Sequence, residues 1–238
     1  KPSGQNTGTE IGAATEPERV KAFCIDFNWG PEGFALPGMY AQASAEKHFE
    51  WYRALGVNTI QTFCVSCPGY AWYTSEVAPV QPGMRGEFLK DLVKLGHGAG
   101  IRVMGYFCIG ANTYWDETHP DLSHRFPSSI SIPFTLHYLD YLERVIREAV
   151  SKTGIDGFMI DWVYNASHLY PDRQYTWLEC EKEMYRELFS KAFPGEEAMD
   201  ETHINEFNKR ATERCWDCIR RAAKSANPGC IIWLTCYD

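Results

Sequence analysis

Carboxylates, amides and aromatic rings recur in this chain where short apolar runs end. Asp161 closes the run Gly-Phe-Met-Ile and is followed by Trp162. An ionised carboxylate left unpaired inside such a run would cost several kcal/mol or more, so the position must be a strand end ringed by polar groups. A carboxylate there can serve as nucleophile or general acid/base in glycosidic cleavage, or as a structural acceptor for a neighbouring loop's N–H groups. Four other run ends carry similar company. Asp26, Asn28 and Trp29 end the first; Ser66 and Cys67 lead from the second into PGYAWYTS, with Tyr70 and Trp72. Tyr106 and Asn112 belong to the third, Asn165 lies past Asp161 on the fourth, and Tyr237 and Asp238 end the fifth. Amides and carboxylates bond hydroxyls, and ring faces offer apolar platforms, so such a wall suits a polyol.

The remaining chemistry-bearing residues give weaker patterns. Asp26 shares a strand face with Asn28 one layer deeper, which reads equally as a site member or a hydrogen-bonded core residue. Asp116, Glu117 and His119 fall in the third loop and could supply an acid or be solvated. His48, His97, His124, His137, His168 and His203 lie on helices or loops in no metal-ligand pattern, as surface or core-edge residues. Nine cysteines is an odd count, which leaves a thiol unpaired within the chain. Of the two C-x-x-C spacings, Cys64/Cys67 ends a strand and Cys215/Cys218 lies on a helical stretch, whereas zinc wants both pairs in turns. No metal or organic cofactor is called for. No Gly-rich phosphate loop and no Ser-His-Asp elbow is present, which ranks nucleotide and ester chemistry low.

These residues need elements to position them. The runs 20–29, 57–65, 101–110, 155–165 and 230–238 read as strands buried on both faces. Between them lie helical patterns: Ala45, Phe49, Tyr52 and Leu55 ahead of Gly56; Phe88, Leu92 and Leu95 ahead of paired glycines; and Leu139, Leu142, Ile146 and Ala149 ahead of Gly154. After the fourth strand come two helical stretches, near 176–192 and 203–226, split by FPGEEAMDE. Strict alternation of strand and helix predicts parallel pairing. The fold expected is an α/β parallel (β/α) barrel of TIM type, incomplete with about five of its eight strands, and with a helical insertion after strand four. An open doubly wound sheet is the alternative. Residues 1–18 read as a flexible lead-in and 19–238 as the barrel's catalytic domain, cut short at its C-terminal end.

Bulk properties bound the partners. Hydrophobic residues make up 45% and charged residues 23% of 238, which favours a packed core. A net charge of −8 argues against nucleic acid and anionic membrane, both of which are bound through surplus Lys and Arg. No run of about eighteen apolar residues is present to span a bilayer. The start at Lys1, followed by a polar stretch, suggests either a cleaved leader, and with it a secreted or periplasmic protein, or a sequence trimmed at this end. Oligomeric state is not readable.

At these same residues the chain resembles the α-L-fucosidase-like glycoside hydrolases and their less characterised relatives. The stretch FCVSCPGYAWYTSEVAPVQPGMRGEFLKDLVKLGHGAGIRVMGYFCIG looks like their central segment. FNWG is similar to their His-Trp-Gly, with Asn28 in place of His, and IDGFMIDW resembles the strand that carries their retaining nucleophile. WLECEKEMYRELFSKAFPG looks more like the less characterised branch. The resemblance covers roughly 20–238. It implies a TIM-type barrel, a carbohydrate substrate and Asp161 as nucleophile, with Asp26, Asn28, Trp29, Tyr70, Trp72, Tyr106, Asn112, Trp162 and Asp238 against the sugar. Ser66, Cys67 and Pro68 stand where the family has a pair of sugar-binding histidines, and the family's acid/base comes from a later part of the barrel. The expectation is therefore a retaining glycosidase of unspecified sugar, with a non-catalytic carbohydrate-binding protein as the alternative.

Overall fold

A computed structural model describes residues 19–126, 129–163 and 176–235. Its main sheet has five parallel strands: β1 (Ala22–Cys24), β4 (Thr59–Val65), β5 (Arg102–Cys108), β8 (Gly157–Asp161) and β9 (Ile231–Leu234). Two small antiparallel hairpins, β2 (Trp29–Gly30) with β3 (Gly33–Phe34) and β6 (His124–Phe126) with β7 (Ser129–Ser131), hang from loops. The helices are α1 (Ala45–Ala54), α2 (Phe88–Gly98), the short α3 (Thr113–Thr118), α4 (Leu136–Thr153), α5 (Glu179–Phe189) and α6 (Glu201–Ala226).

Strand order decides between the two architectures the sequence leaves open. The strands lie side by side in chain order, β1-β4-β5-β8-β9. A doubly wound sheet reverses direction at a switch point, whereas a singly wound barrel never does. The sheet also curls. Gln61 on β4 and Met159 on β8 are separated by β5, about 10 Å apart in a flat sheet, yet Gln61 Nε2 reaches Met159 Sδ at 3.1 Å over the concave face. The chain is thus an α/β barrel sheet of TIM type with five strands in place.

Register assigns the faces. Ile60 and Val103 point outward, against Gly96 of α2. Gln61, Phe63, Met104, Tyr106, Met159 and Asp161 point inward by the period of two. The outer face is the larger core. In α4, Leu142, Val145, Ile146 and Ala149 are fully buried on one stripe, at about 1.5–3 kcal/mol for each large side chain removed from water. Thr135 caps this helix by accepting from Tyr138 N–H, and Gly154 ends it in the left-handed region. Trp177, Met184, Tyr185, Met199 and Phe207 form a second cluster within the α5–α6 insertion.

Three sequence expectations need correction. The first strand is three residues long rather than spanning 20–29, because after Cys24 the Tyr52 hydroxyl takes over the ladder. It accepts from Ile25 N–H at 3.2 Å and donates to Gln61 O at 2.6 Å. Leu55, expected on the buried face of α1, is 48% exposed. His124, expected on a helix or loop at the surface or core edge, is instead buried in strand β6, bonded through Nε2 to the fully buried Glu181 at 3.0 Å. That bond ties the β6–β7 hairpin to the helical insertion. Asn165, His168, Tyr237 and Asp238 lie outside the described residues.

Candidate active site

Strand ends on the inner face define the mouth. β8 delivers Asp161 beside Cys108 at the end of β5, and the half-buried carboxylate has two partners. Tyr106, one pleat back on β5, donates its hydroxyl to Oδ2 at 2.8 Å. The Trp162 backbone N–H turns back to Oδ1 at 3.0 Å. Burial, then the neighbouring Cys108 and Cys67 thiols and the Asp161 charge, hold Tyr106 far above the ordinary phenol range. It therefore remains a donor at any working pH. The two donors are neutral, and among the described residues no cation pairs with Asp161. These two donors orient the carboxylate.

Beneath it, the Tyr106 hydroxyl also meets Cys67 Sγ at 3.6 Å. A bulge between Phe63 and Val65 shifts the end of β4 and sets Cys67 there, as bulges near sites commonly do. Asn28 secures the arrangement from the first loop. It is 2% exposed, and its Oδ1 accepts from Cys67 N–H at 2.7 Å. Its own N–H donates to Asp26 Oδ1 at 2.7 Å. Asp26 is exposed and so is not a core residue. Cys24, inward on β1, lies in the field of both carboxylates. Burial pushes its thiol up to about 12, and the Asp26 and Asp161 charges add to the shift.

Aromatic rings bridge the mouth above this floor. Trp29 is 51% exposed and packs on Phe34 at 5.2 Å, and Phe34 in turn meets Trp162 at 6.2 Å. The loops after β1 and β8 thus touch although β4 and β5 lie between them. Phe34 was not among the residues read from sequence; the Gly30-Pro-Glu-Gly33 turn between Trp29 and Phe34 is the hairpin signal that could have found it.

Other expected ligand-facing residues are placed elsewhere. Trp72 is 1% exposed and packs between Phe27 and Phe88, so its ring is core and not a platform. Asn112 is the N-cap of α3, accepting from Trp115 N–H at 2.8 Å, which commits its oxygen to the backbone. Tyr106 is buried and reaches the site only through its hydroxyl. Tyr70 is half-buried at the rim beside Tyr114, 6.0 Å between rings. Gly69 before it has φ +92, and a Cβ there would come within 2.1 Å of Asn112 Oδ1, so only glycine fits this turn. Asp116 is no free acid. Its buried carboxylate accepts from Ser123 at 2.6 Å and from the Arg125 guanidinium, pinning the β6 hairpin. Among the described residues, no three His, Cys, Asp or Glu side chains gather to hold a metal.

A curled parallel sheet that delivers polar side chains at the C-terminal ends of its strands has the layout on which parallel-barrel active sites are built. Residues 44–162, half of the chain and ending just past Asp161, match the family described as hypothetical glycosyl hydrolase 6. The chain belongs to that family. No curated protein matches it. Among solved structures it is similar to α-L-fucosidase isoenzyme 2 from Paenibacillus thiaminolyticus, with 17% identity and a TM-score of 0.70 over 92% of this chain and 32% of that one. It is also similar to an α-amylase from Geobacillus thermoleovorans solved with acarbose, with 12% identity and a TM-score of 0.53 over 92% of this chain and 47% of that one. An Anoxybacillus α-amylase gives 13% identity and a TM-score of 0.51, with the same two coverages. At such identities the likeness is one of fold. The chain spans about a third of the fucosidase and about half of each amylase.

Proposed function

We propose that this chain carries the nucleophile of a retaining glycoside hydrolase, and that the nucleophile is Asp161. The observation that supports this is the Asp161 carboxylate itself: at the mouth, inward-facing, partly open to solvent and oriented by two neutral donors. A carboxylate so held has its plane fixed by the two donors and faces the lumen. It would attack an anomeric carbon and form a glycosyl-enzyme ester, while a second carboxyl about 5–5.5 Å away protonates the leaving oxygen and then activates water. Trp29 and Trp162 would flank the sugar ring and Asp26 would accept from its hydroxyls. Without paired imidazoles after β4, no fucose-orienting contact is carried over, and the sugar is left open.

Aryl glycosides with good leaving groups test the reading directly, because a nitrophenolate departs without help from a proton donor. Turnover of at least one sugar in a nitrophenyl panel, abolished by Asp161→Asn, supports the assignment. Turnover unchanged in that variant contradicts it. Binding of sugars without turnover of any would favour the carbohydrate-binding alternative.

A further inference from the structure

We propose that Gly110 and the left-handed backbone of Trp162 form a latch that positions the Asp161 carboxylate; the catalytic part of this inference rests on Asp161 being the nucleophile. Trp162 has φ 59, a conformation that a large L side chain rarely adopts. Such strain persists only where the surroundings impose it. Two contacts impose it here. Ile109 N–H donates to Asp161 O at 2.9 Å, carrying the β5–β8 ladder one step past the named strands. The chain then turns, so that Trp162 O lies over residue 110. A Cβ at Gly110 would come within 2.6 Å of that oxygen and 3.4 Å of Trp162 Cβ. The nearer contact is with backbone, which cannot swing aside as a side-chain tip can. The turn also brings the Trp162 N–H back to Asp161 Oδ1. Tyr106 holds the other oxygen, so the carboxylate plane is fixed from both sides. Gly110 touches no substrate in this account; it is a positioning residue.

The latch makes separable predictions. Gly110→Ala should lower kcat on the best nitrophenyl glycoside by about 10²-fold with KM little changed, since a misplacement of roughly 1 Å costs that much. Trp162→Gly and Trp162→Val both remove the ring and both raise KM. Only valine, whose branched Cβ rejects the left-handed region, should add the same kcat loss. This pair leaves Gly110 untouched, so it decides the matter even where Gly110→Ala fails to fold. Hydrogen exchange at the residue-162 amide, read by NMR, supplies the readout independent of turnover. It should be slow in the native chain and at least about tenfold faster in Gly110→Ala, Trp162→Val and Asp161→Ala. That exchange pattern with no turnover of any glycoside would leave the latch standing and sink the glycosidase reading. Equal kcat in the Trp162→Gly and Trp162→Val variants, or unprotected exchange in the native chain, would overturn the latch.

Discussion

Strand β8 carries an aspartate at each end, and their surroundings are opposite. Asp156, just before its start, accepts from His97 Nε2 at 2.9 Å and from Val103 N–H at 2.8 Å. Its partners belong to α2 and β5, so the carboxylate stitches helix to sheet at the bottom of the barrel. Asp161, at the far end, accepts from a tyrosine hydroxyl and a backbone amide, neither of them a potential cation. The first arrangement can neutralise its charge and spends it on architecture. The second orients a carboxylate at a mouth where the Trp29 ring is exposed. In parallel barrels stability sits at the N-terminal strand ends and chemistry at the C-terminal ends, and with Asp161 as the proposed nucleophile the partners of one strand's two carboxylates would follow that division.

Three substitutions test this contrast, and a fourth, at Glu148, tests a carboxylate away from β8. Asp161→Asn should lower kcat/KM on an aryl glycoside by on the order of 10⁴-fold, as loss of a unit of catalytic machinery does, with the thermal midpoint nearly unmoved. Tyr106→Phe removes one of the two donors to the same carboxylate. A hydrogen bond to a charged group contributes about 1.5–3 kcal/mol, so a kcat loss of about ten- to a hundredfold is expected. Asp156→Asn should do the converse, lowering unfolding free energy by about 1 kcal/mol in urea titrations and leaving kcat within about twofold.

The effect at Glu148 depends on pH. Burial raises this carboxyl, but bonds from Ser75, Glu76 N–H, Lys152 and Tyr73 outweigh it and hold it below the ordinary glutamate range. A carboxyl lowered in the fold adds stability above its unfolded value of about 4.3, and that stability is lost as pH falls through the folded value. Glu148→Gln should therefore cost about 1 kcal/mol at pH 7 and progressively less below pH 4. A penalty that is flat with pH would show that Glu148 acts through packing alone.

Much of this division is legible in the sequence. The apolar runs around Phe63, Phe107 and Phe158 and the stripe through Leu142 and Ile146 specify parallel strands and covering helices, because burial on two faces or one leaves a distinct period. Asp161 is readable for the same reason, as a charge that an apolar run can tolerate only at its end. What escapes is whatever depends on loops folding back. Trp72 looks like a rim ring until the loop after β4 returns it to the core beside Phe27 and Phe88. Asn112 looks like a hydroxyl ligand, though an Asn directly before a helical turn is also an N-cap signal. His124 and Glu181 are 57 residues apart, and no local pattern announces their pairing. Phe34 and Trp162 meet only because the sheet curls.

The contrast between the two ends of β8 is tested most directly by covalent trapping. A set of 2-deoxy-2-fluoro glycosyl fluorides would be incubated with the chain, and the labelled peptide identified by mass spectrometry. One glycosyl label is expected, on Asp161, undiminished by Asp156→Asn and absent from Asp161→Asn. A label on another carboxylate, or one that survives Asp161→Asn, would contradict it.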